Sequence, residues 1–172
     1  MDTKDQILEL AERAMRLRGY HAVSFRDLAD ELGIKSASIH YHFRHKHDLG
    51  AAVVERYAAR VAEAVGPADA VWPVAVERFC GVYVAALKGQ GLQCLCSMLS
   101  AESRGLPREV SEPVAAFFLN NIKWLQASGA TKTQALRVQA EIHGAMSLAV
   151  ALQDDTVLEA LAAQIIADAS HP

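Results

Sequence analysis

The chain has 172 residues, 52% of them hydrophobic, enough for one good core or a small head on a larger body; no run approaches the roughly eighteen apolar residues of a membrane span, and the start Met1-Asp2-Thr3-Lys4-Asp5 lacks the pattern of a secretory leader, so a soluble cytoplasmic protein is expected. Three cysteines, Cys80, Cys94 and Cys96, are too few and too oddly numbered for a disulfide scaffold. The net charge of −3 is uneven: residues 1–49 hold eight Lys/Arg against eight Asp/Glu and five of the seven histidines, which makes that part neutral and excludes a bulk polycation.

In chain order, Asp2 or Thr3 is expected to cap a first helix, with Gln6 completing a capping box after Thr3, and Ile7, Leu10, Ala11, Ala14 and Leu17 follow at helical spacing. Gly19 ends it in a left-handed conformation. Ser24 caps a second helix with Phe25, Leu28, Ala29 and Leu32 on one face, and Gly33 stops it. Only Ile34 and Lys35 separate that glycine from Ser36, expected to cap a short helix reaching about Phe43. Two helices so closely joined must diverge steeply, as in a helix-turn-helix. Ile39 and Phe43 would face the core, leaving Ala37, Ser38, His40 and Tyr41 outward.

A long helix follows from about Asp48 to Val65, where Gly66-Pro67 ends it. Further helices are expected over about 73–88, broken at Gly89-Gln90-Gly91, then about 93–102, 111–126, 131 or 133 to 152, and 156–169. No alternating β-branched run and no Asn-Gly or Asp-Gly turn signals a strand. The expected fold is all-α: a three-helix head, residues 1–48, and a helical body, residues 49–172.

The segment from Val23 to Leu49 resembles the head of the TetR/AcrR regulators in its helix spacing, its turn glycine Gly33, its aromatic-rich Ser36–Phe43 helix and Lys46 three residues after Phe43. The physical logic stands beside the resemblance. A short helix with the small N-terminal residues Ser36, Ala37 and Ser38 can enter a major groove about 12 Å wide and set hydroxyls and a methyl against base edges. Phosphate contacts position and base contacts specify. Base reading is therefore assigned to Arg26, Lys35, Ser36, Ala37 and Ser38, and positioning on phosphates mainly to His40, Tyr41, His42 and Lys46. His40 departs from the family pattern, which usually has Tyr there.

The resemblance implies a homodimer on a palindromic double-stranded operator. The last two helices are expected to form the dimer seam through Ala140, Gly144, Ala145, Ser147 and Ala151 on one and Leu158, Leu161 and Ile165 on the other. A small-molecule effector would meet Tyr57, Phe79, Tyr83, Met98, Phe117, Trp124 and His143 among the middle helices.

The run Leu92–Glu102 resembles a segment of the family branch that includes sensors of reactive electrophiles and oxidants, with Cys94 at the position of a thiol just inside a helix. A thiol there loses its proton more readily. The resemblance thus implies a repressor released by a small ligand or by thiol modification.

Two other readings stay open: a metal-responsive regulator using the His40–His47 cluster, although His40 and His42 diverge by about 200° on a helix, and a helical interaction protein that binds no DNA. No GxGxxG, P-loop, HExxH or nucleophile elbow is present. Neither enzymatic activity, a cofactor nor a membrane partner is expected.

Overall fold

The computed structural model describes residues 2–170, and these form nine helices and no strand: α1 (Thr3–Arg18), α2 (Phe25–Leu32), α3 (Ser36–His42), α4 (Lys46–Val65), α5 (Trp72–Gln90), α6 (Leu95–Ser100), α7 (Arg108–Ala127), α8 (Lys132–Leu152) and α9 (Asp155–Ser170). They divide into two compact units, Met1–Ala59 with Leu95–Ala116, and Arg60–Cys94 with Phe117–Pro172. Helices α4 and α7 therefore supply residues to both. None of the nine is long and apolar enough to cross a membrane.

In the first unit, Asp2 rather than Thr3 caps α1, its carboxylate accepting from the Asp5 N–H at 2.8 Å. Ile7, Leu8, Ala11, Ala14 and Met15 form the buried stripe. Leu17, expected inward, is 50% exposed; ten residues beyond Ile7, it lies about 80° round the helix from that stripe. Gly19 has the positive φ expected of it, +81°, but a ψ of 170°, so the chain leaves α1 extended instead of closing a left-handed cap.

Helix α2 begins where Ser24 accepts from the Asp27 N–H at 3.1 Å. It stops at Gly33, φ 67° and ψ 28°, whose N–H returns to Ala29 and Asp30 while the Ile34 N–H reaches the Ala29 carbonyl at 3.0 Å. Helix α3 starts at Ser36, with Lys35 in the capping position and no side-chain cap. Ile39 and Phe43 are buried, at 0% and 4% exposure, and hold α3 to the head. Helix α4 starts at Lys46, two residues before the expected Asp48, because the Asp48 carboxylate takes the His45 N–H at 2.8 Å. An ion pair is buried here: Arg16 and Glu12 lie 3.6 Å apart, with Arg16 also 5.7 Å from the Tyr57 ring centre.

In the second unit, α9 lies along both α5 and α8, and Val76, Phe79, Cys80, Tyr83, Leu87, Ile142, Met146 and Leu158 are nearly or wholly buried. Helix α5 runs through Gly89 and ends at Gly91, φ 64°, where the left-handed cap forms. The Trp124 indole donates to the Gly66 carbonyl at 2.8 Å and Arg78 to the Pro67 carbonyl at 2.9 Å, which fixes the loop after α4. Thr131 and Gln134 make a full capping box on α8.

Candidate nucleic-acid interface

Helix α3 turns one edge inward through Ile39 and leaves Ser36, Ala37, His40 and Tyr41 exposed, Tyr41 at 86%. Residues 37 and 41, and 36 and 40, are one turn apart, so these four side chains make a continuous outward ridge. Ser38 and His42 are half-buried and flank it. A wholly exposed tyrosine at the tip of a rigid helix gains nothing from the core and is available to a ligand surface.

Arg26, at the start of α2, is 88% exposed along its side chain and lies 3.9 Å from Asp30. Lys35 is exposed at the entry to α3. Helix α2 also carries Asp27, Asp30 and Glu31, all exposed, so acids stand among the cations of the head and Asp30 pairs with Arg26 itself. The structure thus brings Arg26, Lys35, Ser36, Ala37, Ser38, His40, Tyr41 and His42 onto α2, α3 and their junction.

Lys46 is placed otherwise than as an extended clamp. Its ammonium donates to the His21 carbonyl at 3.1 Å and lies 4.4 Å from the Tyr20 ring centre. Burial pushes its pKa below the usual lysine value, and the nearby Glu102 carboxylate works against that shift. Its remaining N–H groups determine what it offers a phosphate. Of the cations that received no role from the sequence, two stand near α3: Arg44, exposed in the turn after it, and Lys4, whose ammonium lies 5.9 Å from the Phe43 ring and so stands beside the end of α3. The signal for Arg44 was its place between Phe43 and Lys46; for Lys4 there was none, because its position comes from the packing of α1 on α3.

The histidines of the head do not converge. His45 and His47 stack at 5.0 Å, His40 packs edge-on against Phe25 at 4.9 Å, and His42 lies between Tyr41 and Phe43. Among the described residues no group of three or more His, Cys, Asp or Glu is arranged to hold a metal ion.

Of the expected effector residues, Phe79, Tyr83, Phe117, Trp124 and His143 cluster in the second unit. Tyr83 meets His143 at 4.7 Å, Phe79 lies 5.2 Å from Tyr83 and 6.1 Å from Trp124, and Phe117 lies 6.3 Å from His143. Three members were missed: Phe118, 5.3 Å from His143; Asn121, which donates to the Tyr83 hydroxyl at 3.1 Å; and Gln139, whose amide meets His143 Nε2 at 2.9 Å. Gln139 stands four residues before His143, a spacing that placed it on the same face of α8. Its Oε1 is buried without a partner, and burial holds the His143 pKa down at about 4, so the imidazole is neutral. Tyr57 and Met98 belong to the first unit, Tyr57 buried beneath Arg16.

Cys94 is wholly buried and sits one residue ahead of α6, which starts at Leu95 and has only six residues. It is therefore not inside the helix as expected, and the argument for activation by a helix terminus lapses for it. Cys80 is core, its thiol pushed up to about 12 by burial and, less strongly, by Glu141.

Along α8 and α9, Ala140, Gly144, Ser147, Ala151 and Leu161 are exposed. Ala145, Leu158 and Ile165 are buried in the chain's own core instead, because α9 already covers α5 and α8. A groove of about 340 Å³ runs between the two helices, with Gly144, Ala145, Leu148, Leu161 and Ile165 as its apolar lining. Arg137 bridges Glu141 at 2.6 Å and Asp168 at its end.

Residues 7–53 match the family model for bacterial regulatory proteins of the tetR family. The structure is similar to a TetR transcriptional regulator from Legionella pneumophila over 96% of both chains, at 29% identity and a TM-score of 0.83. It shares its fold with a TetR-family regulator from Agrobacterium tumefaciens, at 24% identity, 96% of both chains and a TM-score of 0.88. The reduced form of E. coli NemR matches over 95% of both chains, at 23% identity and a TM-score of 0.77. No curated protein sequence matches the chain. Residues 7–53 thus form a helix-turn-helix that fits the tetR family model, and the chain as a whole has a helical architecture similar to that of these regulators.

Proposed function

We propose that the chain represses transcription as a homodimer on a palindromic operator and is released by a small-molecule effector, with residues 1–48 as the DNA-binding domain and 49–172 as the effector and dimerisation domain. The observation that carries this is the outward ridge of α3, tipped by Tyr41 at 86% exposure and framed by Arg26 and Lys35. Ser36, Ala37 and Ser38 meet base edges with Arg26 and Lys35, while His40, Tyr41, His42 and Lys46 set the register on phosphates.

A second copy covers the α8–α9 groove, where Leu148 and Leu161 are 52% and 39% exposed beside Ala140, Gly144 and Ala151. Small residues allow close helix approach, and apolar surface of this kind is a self-association signal. The effector binds among Phe79, Tyr83, Phe117, Trp124 and His143. Its effect travels along α4, whose residues belong to both compact units; a coupling of about 1–3 kcal/mol weakens operator binding some 5- to 150-fold. Modification of Cys94 is the second route to release, and it requires the buried segment before α6 to open first.

The test is selection of random duplex DNA on the purified protein, with the oligomer size read in the same sample at stated salt. Recovery of a palindrome by a dimer is the expected result. If no sequence is enriched at any salt concentration, the α3 ridge does not read DNA and the proposal fails.

A further inference from the structure

The turn that follows α6 reaches the loop between α1 and α2 through one carboxylate. Both elements belong to the first compact unit. Glu102 fills the space that Gly19 leaves by having no side chain: a Cβ on Gly19 would lie 1.7 Å from Glu102 Oε1 and 2.8 Å from its Cδ. Gly19 also has a φ of +81°, a conformation other residues rarely adopt. From that notch Glu102 Oε2 accepts from the His21 N–H at 3.4 Å and lies 3.9 Å from His21 Nε2. Gly105 closes the same turn, its N–H bonded to the Glu102 carbonyl at 2.8 Å. A Cβ there would stand 3.3 Å from His21 Nε2.

His21 is thus held on both sides, its N–H by Glu102 and its carbonyl by the Lys46 ammonium. Tyr20, 4% exposed, supplies the aromatic face over which that ammonium sits. The carboxylate of Glu102 also offsets part of the cost of burying the Lys46 charge.

We propose that Glu102 is a positioning residue for operator binding: seated against Gly19, it fixes the His21 peptide and through it the Lys46 ammonium that meets a phosphate. The inference rests on the reading of the chain as an operator binder. Glu102 touches no DNA in this scheme. Movement of the turn after α6 changes the grip on the operator while every residue of the α3 ridge stays as it is.

The test combines Glu102→Ala, Lys46→Ala, the double variant and Glu102→Gln, titrated against the operator recovered by selection over a range of salt. Each alanine variant is expected to weaken binding about tenfold and to lower the salt slope by about 2 per dimer, one phosphate per subunit. The double variant binds no more weakly than Lys46→Ala alone. Glu102→Gln keeps an acceptor for the His21 N–H and stays within about twofold of the parent.

In the DNA-free protein, acylation of Lys46, followed by mass spectrometry, should speed up about fivefold in Glu102→Ala and stay unchanged in Glu102→Gln. Additive losses, an unaltered salt slope in Glu102→Ala, or a glutamine variant as weak as the alanine one would overturn the proposal. So would an unchanged acylation rate. Because that last measurement needs no DNA, failure of the parent protein to select an operator is read separately.

Discussion

His143 couples the body of this protein to pH, and the size of the coupling follows from its surroundings. The imidazole is 8% exposed, edge-on to Tyr83 and Phe118 and bonded to Gln139. Burial takes its pKa from the ordinary 6.5 down to about 4, so the folded chain keeps it neutral where the unfolded chain would protonate it. Between those values the unfolded state binds more protons, and stability therefore rises with pH. The full contribution is present above about 6.5 and is lost as the pH falls towards 4. At about 1.4 kcal/mol per unit, the loss between pH ~7 and pH ~4.5 amounts to about 2.5 kcal/mol.

Urea unfolding of the parent and of His143→Leu near both pH values isolates this quantity, since all other groups are common to the two chains. The parent is expected to lose about 2.5 kcal/mol more than the variant on acidification. Equal losses would refute the reasoning, as would an imidazole resonance of His143 titrating at the ordinary value in the native protein.

Four further outcomes are expected. Tyr41→Ala, at 86% exposure, leaves stability within about 0.5 kcal/mol while weakening operator binding about tenfold, read by thermal melting and gel shift. Leu148→Glu places a charge in the α8–α9 groove and is expected to yield a monomer in light scattering; a dimer of undiminished stability would count against that face. Arg16→Ala removes one partner, 3.6 Å away, of the buried Glu12 and should destabilise the fold by several kcal/mol, about 3 at least, in denaturant unfolding. Gly33→Ala meets no atom within 4 Å, so only the backbone at φ +67° matters, and the unfolding free energy should fall by about 1–2 kcal/mol.

The helix-turn-helix was legible because its signals are local. Ser24 and Gly33 punctuate α2, and Ile39 and Phe43 sit one turn apart, so cap, stop and inward edge can be read without the rest of the chain. The end of α5 was misplaced because Gly89 looks like Gly91 in a sequence; a glycine inside a helix costs only about 1 kcal/mol, and the stop falls where φ turns positive. Helix α6 was drawn too long, through residues 93–102, since nothing in that run marks its ends, and Cys94 was carried inside it. The docking of Lys46 on His21 and the seat of Glu102 on Gly19 join residues 25 and 83 positions apart. No periodicity reports such a contact. The aromatic cluster was legible along α5, but its polar partners Asn121 and Gln139 read as ordinary helix surface.

The balance of acids and cations on the head bears on how an operator binder would find its site. With Asp27, Asp30 and Glu31 exposed on α2, Asp30 beside Arg26, and charges balanced over residues 1–49, the head has little net charge with which to attract DNA in general. Each phosphate neutralised contributes about 0.9 to the salt slope whatever the sequence, and here only a few cations supply that term. In the operator binder proposed above, residence on the wrong sequence would be brief, fewer copies would be held along the chromosome, and a larger share would stay free to search. On the proposed reading, occupancy of the right site then depends on the fit of the α3 ridge to the bases, so a small number of molecules per cell can still discriminate.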